Sequence, residues 1–181
     1  MTAPLSAEER RMLLDTARQA IADKLAGRPQ ATPQADGVFG RRSGVFVSLH
    51  SHGELRGCIG YPDGDQPLGI SVPKSAVAAA TGDPRFAAAT ASELPDLDIE
   101  ISVLTPVEPV TSPTEIEVGR DGLIVEQQRH RGLLLPQVAT EWGWDRETFL
   151  AQTCVKAGLS RDAWKRGASI FRFQAEVFGD R

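Results

Sequence analysis

The stretch that decides the fold is LRGCIG, residues 55–60, which lies within a strand-like run. Residues two apart in a β-strand share a face, so Arg56 and Cys58 are expected to point the same way, roughly 7 Å apart. A cation at that distance favours the thiolate form of a cysteine. Gly57 and Gly60 remove side-chain bulk beside Cys58, which predicts the close approach of another backbone or of a ligand.

The segment from residue 45 to residue 61 predicts a β-hairpin. Its two apolar runs are joined by SHG, residues 51–53, which fits a three-residue loop with glycine in the left-handed conformation. This register pairs Ser48 with Arg56 and Phe46 with Cys58. It puts Val45, Val47, Leu49, Leu55, Ile59 and Tyr61 on an apolar core face. The other face then carries Phe46, Ser48, His50, Arg56, Cys58 and Gly60.

The other predicted elements follow from capping signals and periodicity. They are a helix from the Ser6 capping box to about Leu25, a helix over 66–80 interrupted by Pro73, an alternating strand over 97–104, a second hairpin with strands at 123–126 and 132–135, a short helix from Pro136 to near Trp142, a helix capped by Asp145 that ends before Gly158, and a final strand over 170–178. Strands in hairpins with helices between them predict an α+β fold with a largely antiparallel sheet. In that sheet the 97–104 strand is expected beside the first hairpin.

Composition limits the function classes. The 181 residues carry a formal net charge of -4 with scattered basic residues, which argues against nucleic acid as a partner. No apolar run approaches the roughly 20 residues of a membrane span, and the start of the chain has no secretory leader pattern, so a cytoplasmic protein is expected. Cys58 and Cys154 lack metal-site spacing and are expected to be free thiols, with Cys154 in the core.

Four motifs together resemble the AMMECR family, also called protein A of the AmmeMemoRadiSam system. They are LRGCIG, DPRF at 83–86, ELP at 93–95, and GLLLPQVA at 132–139 followed by GWD at 143–145. The resemblance implies one α+β domain of two interleaved lobes over residues 6–178, built from a duplicated unit, with flexible termini at 1–5 and 179–181. It also implies a Memo-like protein and a radical S-adenosylmethionine enzyme as partners. It implies no particular reaction, and Pro73 departs from a segment that is an uninterrupted helix in relatives.

Candidate site residues cluster around the thiol. Cys58 and Arg56 are the catalytic candidates, and the ligand-binding candidates are Gly57, Gly60, Glu100 and His130. The plain alternative makes Cys58 a packing residue and pairs Arg56 with Glu100 or Asp98. His50 would lie roughly 13 Å from Cys58 by strand rise, too far for a catalytic base. His130 would serve only if the second hairpin's loop lies over Cys58.

Two classes of function remain open. The first is an enzyme or group carrier that acts on a small anionic or modified substrate through Cys58 and Arg56. The second is a non-catalytic ligand-binding or adaptor module for the two partners. The sequence lacks a GxGxxG motif, a Walker loop and a recognisable metal spacing, so neither a cofactor nor a metal is expected.

Overall fold

The computed structural model describes residues 3–181, which form two compact units. The first unit comprises the described residues up to Leu104 together with Glu176–Arg181, and the second comprises Thr105–Ala175. Each unit contains a four-stranded antiparallel sheet and two helices. The predicted α+β fold is therefore confirmed.

The secondary structure agrees with most of the predicted elements. The helices are α1 (Ala7–Leu25), α2 (Leu68–Thr81), α3 (Pro136–Glu141) and α4 (Arg146–Lys156). The strands are β1 (Val45–Ser51), β2 (Glu54–Tyr61), β3 (Leu97–Leu104), β4 (Glu108–Pro109), β5 (Gly122–Gln127), β6 (His130–Leu134), β7 (Ser169–Phe173) and β8 (Ala175–Gly179). The two sheets have the strand orders β2-β1-β3-β8 and β4-β7-β5-β6.

In the first unit, α1 and α2 pack on one face of the sheet. The core on this face contains Val47, Leu49, Ile99 and Ile101, all buried, with Ile59 packed against it. β1 pairs with β3, so the predicted neighbourhood of the hairpin and the 97–104 strand is confirmed. The Ser6 capping box that begins α1 is also confirmed.

The predicted register of the first hairpin is wrong. Ser48, rather than Phe46, is the cross-strand partner of Cys58, and Arg56 is skipped by a bulge between the pairs Leu49↔Gly57 and His50↔Leu55. The turn is shorter than predicted, because residues 52 and 53 both have positive φ angles, as a two-residue type I′ turn requires. Because the bulge adds one residue to β2, Cys58 still lies on the sheet face that the sequence predicted for it.

The bulge also changes the face of Leu55. The predicted register put Leu55 in the core, but this side chain lies opposite His50 and is 40% exposed. A bulged strand has two residues opposite one on its neighbour, so the side chains before the bulge move to the other face.

Pro73 does not interrupt α2, contrary to the sequence prediction. The helix is continuous from Leu68 to Thr81. A proline removes one helical hydrogen bond and its ring crowds the carbonyl four residues earlier, which here belongs to Gly69. The apolar face of α2 is buried against the sheet and α1, and this packing maintains the helix through the proline.

The predicted final strand over 170–178 is two strands in different sheets. β7 pairs with β5, whereas β8 joins the sheet that contains β3. Gln174 lies between them, where its N–H donates to the Thr105 hydroxyl and its carbonyl accepts from the Thr105 N–H. The Thr105 hydroxyl therefore takes the place of a backbone acceptor at the point where the chain passes from β7 to β8.

Tertiary contacts extend beyond the predicted domain bounds of 6 and 178. Leu5 is buried and its N–H donates to Glu176 at 3.0 Å, while Asp180 accepts from the N–H of Ile99 at 2.9 Å. Of the N-terminal residues predicted to be flexible, Met1 and Thr2 lie outside the described residues.

The second unit follows the sequence prediction closely. Its hairpin strands reach one to two residues further toward the turn than predicted, because Gln128 adopts a positive φ angle and permits a two-residue turn. Asp145 caps α4 by accepting from the N–H of Thr148 at 2.8 Å. The buried centre contains Ile116, Leu123, Ala139, Phe149 and Leu150.

We expect Gly57→Ala to destabilise the protein by about 1–3 kcal/mol, because a Cβ atom there would overlap the carbonyl oxygen of Ala79 in α2. Gly179→Ala is the matched control, since its Cβ would lie 3.2 Å from the nearest atom, the Ile99 carbonyl oxygen. Urea unfolding curves measure both. Equal losses of unfolding free energy would mean that the approach of α2 to β2 does not depend on this glycine.

Candidate functional site

Cys58 lies on the sheet face opposite α1 and α2, because its neighbour Gly57 faces α2. Its partner in β1 is Ser48, and Ser48 in turn lies opposite Glu100 of β3. The Ser48 hydroxyl donates a hydrogen bond to the Cys58 sulfur, with Oγ and Sγ 3.2 Å apart. Cys58 is partly exposed. Cys58, Ser48 and Glu100 thus form a polar row across three strands.

The backbone of Cys58 is bound by Asp83, in the loop after α2. The Cys58 N–H donates to Oδ2 of Asp83 at 3.0 Å. Because that N–H points away from β1, Cys58 and Ser48 form a non-hydrogen-bonded pair, in which facing side chains lie closest. This geometry brings the hydroxyl to the sulfur.

Asp83 also binds Arg85 through both carboxylate oxygens. Nε of Arg85 donates to Oδ1 at 3.0 Å and Nη2 donates to Oδ2 at 2.7 Å, while the Arg85 N–H donates to Oδ1 at 3.0 Å. These bonds lower the pKa of the Asp83 carboxyl far below its usual range; burial opposes the shift, and the Cys58 N–H adds to it. Because these hydrogen bonds keep the buried Asp83 carboxyl ionised, its role is to hold Cys58 and Arg85 in place rather than to accept a proton.

The Arg85 side chain extends from Asp83 into solvent. It is 56% exposed, and its guanidinium carbon lies 5.4 Å from the centre of the Phe86 ring. The hydrogen bonds to Asp83 raise the pKa of Arg85, burial opposes that shift, and the negative charge of Asp83 adds a smaller increase. Cys58 and Arg85 are thus linked through one oxygen of Asp83, which accepts from the N–H of Cys58 and from Nη2 of Arg85.

Arg56 does not pair with Glu100 or Asp98, contrary to the alternative drawn from the sequence. Its Nε and Nη2 both lie 3.1 Å from Oε1 of Glu93, and its Nη1 donates to the Ala87 carbonyl at 2.8 Å. The side chain is only 18% exposed. The bulge directs Arg56 to the 83–93 loop, where the guanidinium is engaged by these two residues.

The remaining candidates are dispersed. The space beside Gly57 is filled by α2 and the space beside Gly60 by the Phe46 ring. The two-residue register shift places His50 diagonally from Cys58, about 7–8 Å away and closer than predicted. His130 lies in the second unit, at the first residue of β6 and next to Gly158.

The sequence analysis missed three residues of this site: Ser48, Asp83 and Arg85. The DPRF motif was the available signal for Asp83 and Arg85. In this motif an aspartate that follows a helix stands two residues before an arginine and can bind its guanidinium. Ser48 could not be identified as the cross-strand partner of Cys58 without knowledge of the bulge. Within residues 3–181, no group of three or more His, Cys, Asp or Glu side chains is placed to hold a metal ion, and no helix is long and apolar enough to cross a membrane.

Comparison with known proteins defines the class. The AMMECR1 family model matches residues 14–178, and the chain belongs to this family. It is 52% identical over 185 residues to a protein from Methanothermobacter thermautotrophicus, which covers 97% of this chain and 96% of that protein. It is 44% identical over 183 residues to a Methanocaldococcus jannaschii protein, covering 96% and 91%.

A solved structure supports the same assignment. The crystal structure of an uncharacterized protein from Pyrococcus horikoshii matches with a TM-score of 0.91 and 41% identity, covering 98% of this chain and 94% of that one. The fold of the family is therefore established, and these relatives assign no reaction to it.

We expect Asp83 to make the unfolding free energy depend on pH in the acidic range. Its pKa is lowered in the folded protein, so its contribution is complete above the unfolded value of about 3.9 and is lost as the pH falls toward the folded value. The unfolding free energy of the wild type should fall more steeply between about pH 5 and pH 2 than that of Asp83→Asn. Parallel pH profiles from urea unfolding would contradict this role.

Cys154→Ala should lower the unfolding free energy by about 1 kcal/mol through lost packing. Cys154 is fully buried against Val125 and Ala163, and burial raises the pKa of its thiol. The substitution should leave the alkylation rate of Cys58 unchanged. A loss of Cys58 reactivity with unchanged stability would show that Cys154 serves the site.

Proposed function

We propose that this AMMECR1 protein is an enzyme or group carrier for a small anionic substrate, with the Cys58 thiol as the reactive atom. The observation that carries the proposal is the partly exposed Cys58, whose sulfur accepts a hydrogen bond from Ser48 and whose N–H shares the Oδ2 atom of Asp83 with the cationic Arg85. A cation held near a partly exposed cysteine attracts an anionic substrate toward the sulfur.

The chemistry that fits is transfer of a group to sulfur. Sγ would form a bond to an electrophilic carbon of the substrate, the bond from that carbon to its leaving group would break, and the thiol proton would pass to the leaving group or to water. Glu100, opposite Ser48 in the register, borders this site. The step needs no oxidant and no reductant.

Arg85, rather than Arg56, is assigned as the contact for the anionic part of the substrate. Asp83 binds Nε and Nη2 of Arg85, while Nη1 takes no part in these bonds. A half-exposed guanidinium suits a carboxylate or a phosphate. Arg56 is less exposed and already binds Glu93 and Ala87, so its part is to attach β2 to the 83–93 loop.

The second candidate function is a non-catalytic ligand-binding or adaptor module for a Memo-like protein and a radical S-adenosylmethionine enzyme. The engagement of Asp83 and Arg56 in internal bonds favours this alternative, because neither group is left to bind a substrate. Cys58 would then be a contact residue.

Alkylation of Cys58 by an anionic and a neutral reagent tests the proposal. In a Cys154→Ala background, the ratio of the iodoacetate rate to the iodoacetamide rate should fall about threefold or more in Arg85→Gln, because the anion loses its attraction. Arg85→Lys should keep most of the ratio. Arg11→Gln, on an exposed part of α1, is the surface-charge control and should leave the ratio unchanged.

Three results would contradict this assignment. A ratio that falls in Arg56→Gln and not in Arg85→Gln would return the anion contact to Arg56. A ratio that is equal in all variants would show that there is no anion site. A thiol that reacts only after unfolding would favour the adaptor module.

A further inference from the structure

A cavity of about 570 Å³ lies in the first unit, between α1, α2 and the segment at residues 30–34. It is distinct from the Cys58 site, since neither Cys58 nor Arg85 lines it. Its apolar walls come from Ala20, Phe39, Ile70, Pro73 and Val77. Cavities of this size with apolar walls and a few polar groups are typical of small-molecule sites.

The segment at residues 30–34 is fixed over the cavity. The carbonyl of Gln34 packs where a side chain at position 69 would lie, so Gly69 permits this crossing of α2. The side chain of Gln30 donates to the Ala20 carbonyl at 3.1 Å. The cavity is thus bounded by two helices and by this segment, which is hydrogen-bonded to α1 and packed against α2.

The charged side chains that line the cavity are two carboxylates and one ammonium. Asp15, an exposed residue of α1, lines it, and among the described residues no cation is paired with this carboxylate. Pro73 has no N–H to donate to the Gly69 carbonyl, so this carbonyl lacks its regular helical partner. Lys74 is the lining cation, and its ammonium lies 4.5 Å from the centre of the Tyr61 ring.

Asp23 adds a second carboxylate to the lining. Its Oδ1 accepts from Gln19 at 2.9 Å and from Nε of Arg28 at 2.9 Å. Because Arg28 balances the charge of Asp23, Asp15 is the carboxylate that attracts a ligand's charge. A carboxylate without an ion-pair partner beside apolar walls fits a ligand with an apolar body and a positively charged head.

We propose that this cavity binds a small organic amine with an aromatic or aliphatic body. The ammonium group binds Asp15 and the apolar body lies against Phe39, Ile70 and Val77. Charge complementarity disfavours the corresponding carboxylic acids, because Asp15 repels them while the Lys74 ammonium lies over the Tyr61 ring.

Calorimetric titration of the full chain with tryptamine and with indole-3-propionate tests this proposal. The two probes share the indole ring and carry opposite charges. Tryptamine should bind with a dissociation constant below about 1 mM, and the acid should bind about tenfold more weakly. Asp15→Asn should weaken tryptamine binding about threefold or more. Glu8→Gln, an exposed acid in the first turn of the same helix, is the matched control and should change nothing.

A cavity-filling variant tests the location. Val77→Trp should abolish tryptamine binding, whereas Val177→Trp, at a 44% exposed position of β8, should leave it intact. If Val77→Trp fails to fold, the comparison of Asp15→Asn with Glu8→Gln decides. No tryptamine binding, equal binding of both probes, or equal effects of those two variants would each overturn the proposal.

Discussion

The carboxylate of Asp83 is the interaction on which the arrangement around Cys58 depends. It is buried, it accepts the N–H of Cys58, and it binds Arg85 through both oxygens. β2 is an edge strand, so no neighbouring strand accepts this N–H, and Asp83 accepts it instead. One side chain therefore completes the sheet edge, orients the pair of Cys58 and Ser48, and positions the half-exposed guanidinium of Arg85.

Two further constraints hold the same strand. The backbone of α2 packs directly on Gly57, which requires a residue without a side chain. The bulge at Arg56 then sends the guanidinium to Glu93 and Ala87. The residues of LRGCIG thus serve packing at Gly57, attachment at Arg56 and exposure at Cys58. This division explains why the motif combines a glycine, a cation and a thiol within three positions.

Local signals in the sequence were sufficient for most elements. The Ser6 capping box, the alternation over 97–104 and the Asp145 cap depend on neighbours within a few residues, and all three are confirmed. The register at Cys58 was wrong because a bulge costs little and leaves the apolar pattern of β1 unchanged. The partner of Arg56 was missed because Glu93 lies 37 residues away and no pattern within β2 indicates it. Pro73 was misjudged because tertiary packing outweighs local helix propensity.

The most direct measurement is the pH dependence of the Cys58 backbone amide, followed by nuclear magnetic resonance and hydrogen exchange. If Asp83 holds this N–H, the amide is protected from exchange, and its chemical shift reports a carboxyl that titrates well below the ordinary aspartate value of about 3.9. An amide that exchanges as fast as a solvent-exposed edge amide, or that titrates near the ordinary value, would contradict the account.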